Sequence, residues 1–247
     1  PAPVGHHCPE CVAEGRRSTR RIRSRLPRPR SITTAILAIN VGVFLVGLLL
    51  GAASGQRGVL LRHGAMVPVL VAQGEWWRLV TAMFLHVNTF HLLLNSLALY
   101  VFGGLVESAI GRVRFLAVYL VTGFVGSAVS FAFGSPFIAA AGASGAIFGL
   151  LGAWLSFNLR RRSLSLARSN VQGALMLIGI NLVFGFVFPG IDWLAHVGGL
   201  IAGVVAGFAA EGFGPRSSRA ATGVAGFAVL LFAGVALTSW RAAALGG

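Results

Sequence analysis

An all-α polytopic membrane bundle is the fold class this chain predicts, and three observations carry the prediction. The first is composition: of 247 residues, 56% are hydrophobic and 11% are charged, with a mean hydropathy of +0.82. Soluble domains carry about 25% charged residues, so the chain is too apolar for a water-soluble globule. The second is a series of apolar runs, each close to the roughly 17 to 25 residues that cross the hydrocarbon as a helix. The third is where the cations fall. All 20 basic residues are arginine, set against 6 acids for a net charge of +14, and they cluster at the ends of the apolar runs.

The elements follow in order. Residues 1–30 form a Cys/Arg-rich tail, with eight arginines between Arg16 and Arg30. Apolar runs at about 32–51, 90–110, 113–133, 143–159, 170–188, 192–210 and 222–240 predict seven spans. Arg112 and Arg114 follow the second run, Arg160, Arg161, Arg162 and Arg168 the fourth, and Arg216 and Arg219 the sixth. With a cytoplasmic N-terminus, 16 of the 20 arginines lie inside and only Arg57, Arg62, Arg78 and Arg241 outside. The positive-inside rule therefore predicts a multi-pass protein of the cell inner (plasma) membrane, N-terminus in and C-terminus out. No small-residue cleavage site closes the first run, so no cleavable signal peptide is expected. The segment from about 52 to 89 carries Met66, Trp76, Trp77 and Arg78, an amphipathic mixture expected to lie partly in the outer leaflet.

The same arginine placement argues against nucleic acid as a partner, because the basic tail has no interleaved aromatics on which bases would stack. Cys8 and Cys11 give half of a four-ligand zinc site, and no second pair follows. The sequence begins at Pro1 rather than at a methionine, as a fragment lacking upstream ligands would. A plain cysteine-containing tail fits equally well, so no metal and no cofactor is assigned.

Two helices carry small residues at four-residue spacing: Gly145, Gly149 and Ala153 in the fourth run, and Ala195, Gly199, Gly203 and Gly207 in the sixth. Small residues let helix backbones approach closely in lipid, so the two ladders are expected to pack together. Ser144 is one position before the first ladder and His196 one position after the start of the second. Counting back from Arg160 and Glu211 at 1.5 Å per residue puts Ser144 about 24 Å and His196 about 22 Å from the cytoplasmic ends of their helices. Asn95 falls about 25 Å from Arg112 by the same rise, with His91 one turn further out. Four polar side chains from three helices thus converge on one layer near the outer surface, and polar groups at such depth are functional candidates.

Those residue types suit acyl transfer. A serine hydroxyl is a weak nucleophile until a base such as histidine takes its proton, and the ladders bring His196 toward Ser144. The Asn95 amide, the His91 imidazole and the Ser144 backbone N–H, free at a helix start, could donate to an oxyanion. Asp192, one turn before His196, either orients the imidazole or caps the sixth helix. Glu107 lies too far from this layer for catalysis and is expected to tie helices together. Phe184, Phe186 and Phe188 near the outer end of the fifth run are either a movable gate beside the second span or ordinary lipid-facing aromatics.

Gly142-Ala143-Ser144-Gly145, with Ala195-His196-Val197-Gly198-Gly199 after it and His91-x-x-x-Asn95 before it, resembles the rhomboid family of intramembrane serine proteases. The resemblance spans about residues 32–210 and includes Trp77-Arg78 and Gly103-Gly104-Leu105-Val106-Glu107. It implies a Ser144–His196 dyad acting on single-span transmembrane substrates, with no acid required and the bilayer as the other partner. It also implies an oxyanion site at His91, Asn95 and Gly142, with Gly142 opening the nucleophile motif. Where the family often has a tyrosine stacked on the histidine, this chain has Phe148. By the same resemblance, 31–211 is a six-helix rhomboid-like protease core. Residues 212–247 are a linker and a seventh transmembrane helix, and the Cys8–Cys11 tail resembles the truncated end of an N-terminal zinc finger. A catalytically inactive relative that binds transmembrane clients as a scaffold or chaperone is the main rival, and such relatives usually lose the serine or histidine. A transporter would carry charges along a midplane path, and here the acids in the runs sit near their ends.

Overall fold

The computed structural model describes residues 31–54, 58–161, 163–187, 190–212 and 218–246. The Cys8–Cys11 tail and Phe188 therefore lie outside the described residues. The α-helices among the described residues are α1 (Ile32–Ser54), α2 (Val59–Gly64), α3 (Pro68–Ala72), α4 (Arg78–Thr81), α5 (Thr89–Ala98), α6 (Gly104–Ile110), α7 (Arg112–Phe133), α8 (Ser144–Leu159), α9 (Ser165–Val187), α10 (Trp193–Glu211) and α11 (Arg219–Gly246). A π-helical stretch, Leu99–Gly103, joins α5 to α6, so Thr89–Ile110 forms one continuous span. Six helices are long and apolar enough to cross a membrane, and the shorter apolar α8 lies among them. The protein is thus a multi-pass membrane protein whose outer helix faces contact the bilayer: Leu48, Leu49, Met176, Val183, Val229 and Phe232 are exposed.

The seven runs read from the sequence are the seven long elements, with shifted ends. The helix of the fifth run, α9, starts at Ser165 rather than near 170, because hydropathy marks where the apolar run begins and not where the first helical hydrogen bond forms. The seventh runs from Arg219 to Gly246, past both ends expected for it, as an apolar helix continuing into the headgroup layer can.

The closest packing is between α8 and α10. A Cβ at Gly199 would collide with the Gly145 carbonyl oxygen, one at Gly203 with the Gly149 carbonyl oxygen, and one at Gly207 would lie 2.7 Å from the Ala153 Cα. From the facing helix, a Cβ on Gly152 would collide with the Leu200 carbonyl oxygen and lie 2.9 Å from the Val204 nitrogen. The two small-residue ladders thus lie backbone on backbone, in a medium where packing rather than hydrophobicity drives helix association. At the far end, Glu211 pairs with Arg160 at 3.1 Å and Arg161 at 2.7 Å, bridging the C-termini of the same two helices. Helix α7 packs against both, with Phe115, Val118, Tyr119 and Leu150 in a buried core.

Glu107 has the tying role expected of it. Its carboxylate accepts the Ile32 and Thr33 backbone N–H groups at 3.0 Å each and the Thr33 hydroxyl at 2.6 Å. It therefore satisfies orphan donors at the start of α1 from another helix.

The loop between the first two spans folds back onto the bundle as α2, α3 and α4. Arg78, 3% exposed, donates to Glu75 at 2.6 Å and to the Ala65 carbonyl at 2.8 Å. Thr81 donates to the Gly64 carbonyl at 2.7 Å. Met66 and Ala140 exchange backbone hydrogen bonds at 2.9 and 2.8 Å, and Gly142 N–H donates to the Ala82 carbonyl at 2.9 Å. The loop thereby holds the chain that leads into α8. Ala242 and Leu245 of α11 pack on the same cluster, beside Met66, Val71 and Leu79.

Replacing Gly203 by leucine is expected to force α8 and α10 apart, at a cost of about 3 kcal/mol. Gly179→Leu, at a site with nothing within 4 Å of an added Cβ, is expected to leave the unfolding temperature in detergent nearly unchanged. Thermal unfolding of the two variants side by side checks this.

Candidate active site

Each candidate residue owes its position to a local feature of the chain. Ser144 is the first residue of α8, where backbone N–H groups have no partner inside the helix. Gly142, two residues earlier, has φ +147, and a Cβ there would lie 2.7 Å from His91 Cε1, 2.9 Å from His91 Nε2 and 3.7 Å from Ser144 Oγ. Only glycine lets the chain pass between the His91 ring and the serine. His91 sits in the first turn of α5, which Asn88 caps by accepting the His91 backbone N–H at 2.8 Å. One turn on, Asn95 is buried and donates through Nδ2 to the His91 carbonyl at 3.0 Å.

His196 lies in the first turn of α10 and is 7% exposed. Its ring is stacked on Phe148 of α8, with centroids 4.2 Å apart and planes 9° from parallel. The distance from Ser144 to Phe148 is one helical turn, so the residue that holds the imidazole is on the same face of α8 as the serine. His196 Nδ1 is buried with no hydrogen-bond partner among the described residues. It faces α9 at Gly185, where an added Cβ would lie 3.6 Å from it.

Ser144, His196, His91, Asn95 and Phe148 all line one cavity of ≈ 710 Å³, within the size range of pockets that hold extended ligands. The cavity continues between the second span, at Leu94, Ala98 and Phe102, and α9, at Leu177 and Asn181. A second cavity, ≈ 30 Å³, lies behind Ser144 and is lined by Ser127, Gly142, Asp192 and Ala195. Of the fifth-run phenylalanines, Phe184 and Phe186 are exposed, and Phe186 meets Trp193 edge-on at 6.1 Å.

Of the two roles open to Asp192, the structure has the cap. Its side chain accepts the Ala195 backbone N–H at 3.0 Å and the Ser130 hydroxyl at 2.6 Å, so both oxygens are engaged away from the imidazole. Burial pushes the Asp192 carboxyl above the usual carboxylate range, and the hydrogen bonds from Ser130 and the backbone pull it back.

Two residues near the site escaped the sequence reading. Ser130 lies in α7 and offers no motif. His86 is 5% exposed, its ring edge-on to His91 at 5.3 Å; burial, then the nearby His91, push it down to about 4, so it is neutral. Its one sequence signal is a histidine five positions before His91 in an otherwise apolar stretch. Among the described residues no group of three or more His, Cys, Asp and Glu is placed to hold a metal ion.

The comparisons with known proteins agree with this architecture. Residues 73–212 match the family model of the rhomboid domain. The chain is 42% identical over 191 residues to Rhomboid protease GluP of Bacillus subtilis (strain 168), covering 75% of this chain and 37% of that protein. It is 36% identical over 182 residues to RHOMBOID-like protein 9, chloroplastic, of Arabidopsis thaliana, covering 70% of this chain and 41% of the relative. RHOMBOID-like protein 6, mitochondrial, of the same plant is 40% identical over 155 residues, 62% of this chain and half of its own length. The chain thus spans half or less of the length of these relatives. Since the family model alone covers more than half of its residues, from the loop between the first two spans to the end of α10, the chain belongs to the rhomboid family.

Proposed function

We propose that this chain is an intramembrane serine endopeptidase that hydrolyses peptide bonds of single-span transmembrane substrates near the outer face of the membrane. Ser144 is the nucleophile and His196 the base, within a protease core of residues 31–211. The observation that carries the reading is the parallel stack of His196 on Phe148, in the cavity that Ser144, His91 and Asn95 also line.

The chemistry runs in two halves. His196 takes the Ser144 hydroxyl proton as Oγ bonds to the substrate carbonyl carbon, and the carbonyl oxygen becomes an oxyanion. His91, Asn95 and the free backbone N–H groups at the start of α8 are the donors for that charge, each worth about 3 kcal/mol of barrier. The C–N bond then breaks, His196 gives its proton to the departing amine, and an acyl ester remains on Ser144. Water, deprotonated by His196, attacks the ester carbonyl and releases the acid and the serine. His196 Nδ1 is enclosed by α9, which leaves Nε2 to exchange protons with the cavity. A substrate whose scissile segment starts in lipid enters sideways, and the cavity's extension between the second span and α9 fits such a path.

The orientation that goes with this reading has the N-terminus in the cytoplasm and the C-terminus outside. A cysteine placed at Gly74 is then expected to react with an impermeant maleimide on intact cells, and one at Ser163 only after permeabilisation. The reverse pattern contradicts the orientation.

Proteoliposomes holding a model single-span substrate provide the functional test. Ser144→Ala and His196→Ala are expected to abolish cleavage while leaving thermal unfolding unchanged, and His91→Ala and Asn95→Ala each to lower kcat by roughly ten- to thousandfold. Cleavage that survives in Ser144→Ala overturns the assignment. Phe148→Tyr keeps the ring stack and is expected to retain kcat within about threefold, whereas Phe148→Ala frees the imidazole and costs about tenfold or more.

A further inference from the structure

We infer that Asp192 is a positioning residue for His196 and acts through Ser130: the carboxylate clasps the first turn of α10 to α7 and so holds the imidazole where the nucleophile needs it. This rests on the protease reading above. The two carboxylate oxygens serve different helices. One accepts the Ala195 N–H at 3.0 Å, within α10, and the other accepts the Ser130 hydroxyl of α7 at 2.6 Å. Ser130 is itself 5% exposed and lies one turn before the end of α7, where its carbonyl accepts the Gly134 N–H at 2.8 Å. The clasp therefore joins the last turn of one helix to the first turn of another.

Asp192 does not work as a triad acid. Its oxygens are taken by other donors, and His196 Nδ1 has no partner among the described residues. What links the two residues is backbone, since the His196 N–H donates to the Asp192 carbonyl at 3.2 Å. A rotation of that first turn moves the imidazole directly. Next to it the packing is backbone against backbone: an added Cβ at Gly126 of α7 would lie 2.8 Å from the Ala195 carbonyl oxygen, and one at Gly145 of α8 3.4 Å from it. Such contacts resist closer approach but not separation. Ser130–Asp192 supplies the attraction, a charge-assisted bond in a site where burying a carboxylate without donors is costly. A misplacement of about 1 Å at a reacting group can cost on the order of a hundredfold in rate.

The test uses the full chain in proteoliposomes, with kcat and KM measured on a single-span substrate. Wild-type cleavage that Ser144→Ala abolishes comes first; vesicles without it fail the protease reading, and the clasp with it. Given that activity, Asp192→Ala is expected to lower kcat about tenfold or more and Ser130→Ala severalfold, each with KM within about twofold. The double variant is expected to be no slower than Asp192→Ala alone, because both changes remove one contact. Asp192→Asn, which can still cap α10 and hydrogen-bond Ser130, is expected to recover most of the rate. A wild-type kcat in Ser130→Ala, losses that multiply in the double variant, or an Asp192→Asn protein as slow as Asp192→Ala would each overturn the clasp. Should Asp192→Ala fail to fold, Ser130→Ala and Asp192→Asn decide the question by the same criteria.

Discussion

Backbone contact between α8 and α10 is the constraint on which the rest of the structure depends. In lipid the side chains of two apolar helices gain little by leaving one hydrocarbon surface for another, so association must come from close packing. Glycines at 145, 152, 199 and 203 give that packing by removing the Cβ atoms that would otherwise stand between the helices. The outcome is geometric as much as energetic. With so little side chain between them, the axes have little freedom to slide, and the first turns of both helices, which carry Ser144 and His196, face the same cavity. Glu211 with Arg160 and Arg161 closes the opposite end of the pair.

Around this pair the remaining elements act as supports for a polar site in an apolar medium. The loop between the first two spans pairs Met66 with Ala140 and holds Gly142 through Ala82, so the chain entering α8 is fixed before Ser144 is reached. Glu107 ties the second span to the start of α1, and the second span in turn carries His91 and Asn95 to the cavity. The last long helix, α11, reaches the same loop at Ala242 and Leu245. The polar groups in the layer are few, and their positions are set by neighbours that are themselves fixed by hydrogen bonds or by missing Cβ atoms.

Much of this was legible in the sequence because membrane folding leaves a strong signal. Apolar runs and arginine clusters mark spans, and the four-residue ladders identify which two helices meet. Counting residues from the charged ends placed Ser144, His196 and Asn95 at a common depth, and all three line one cavity. The stack of Phe148 on His196 could be expected only from the family resemblance, since a phenylalanine in a membrane helix carries no sign of its neighbour. Helix ends were less legible: the fifth span begins at Ser165 and the seventh at Arg219, because hydropathy records the hydrocarbon boundary and not the last hydrogen bond. Ser130 could not be found at all. A single serine in a transmembrane helix looks like a packing residue, and its partner Asp192 lies 62 positions away. The π-helical stretch at Leu99–Gly103 likewise has no sequence marker, although Gly103, pressed against Thr33, shows why the helix is crowded there.

The central claim is that Ser144 is a nucleophile made reactive by His196, and not a small residue serving helix packing. Mass-spectrometric mapping of the adduct formed by a fluorophosphonate in liposomes tests it directly. The account predicts a single phosphonylated residue, Ser144, and loss of that adduct in His196→Ala protein that still unfolds at the wild-type temperature. An adduct on any other serine, or undiminished labelling of Ser144 without His196, would contradict it.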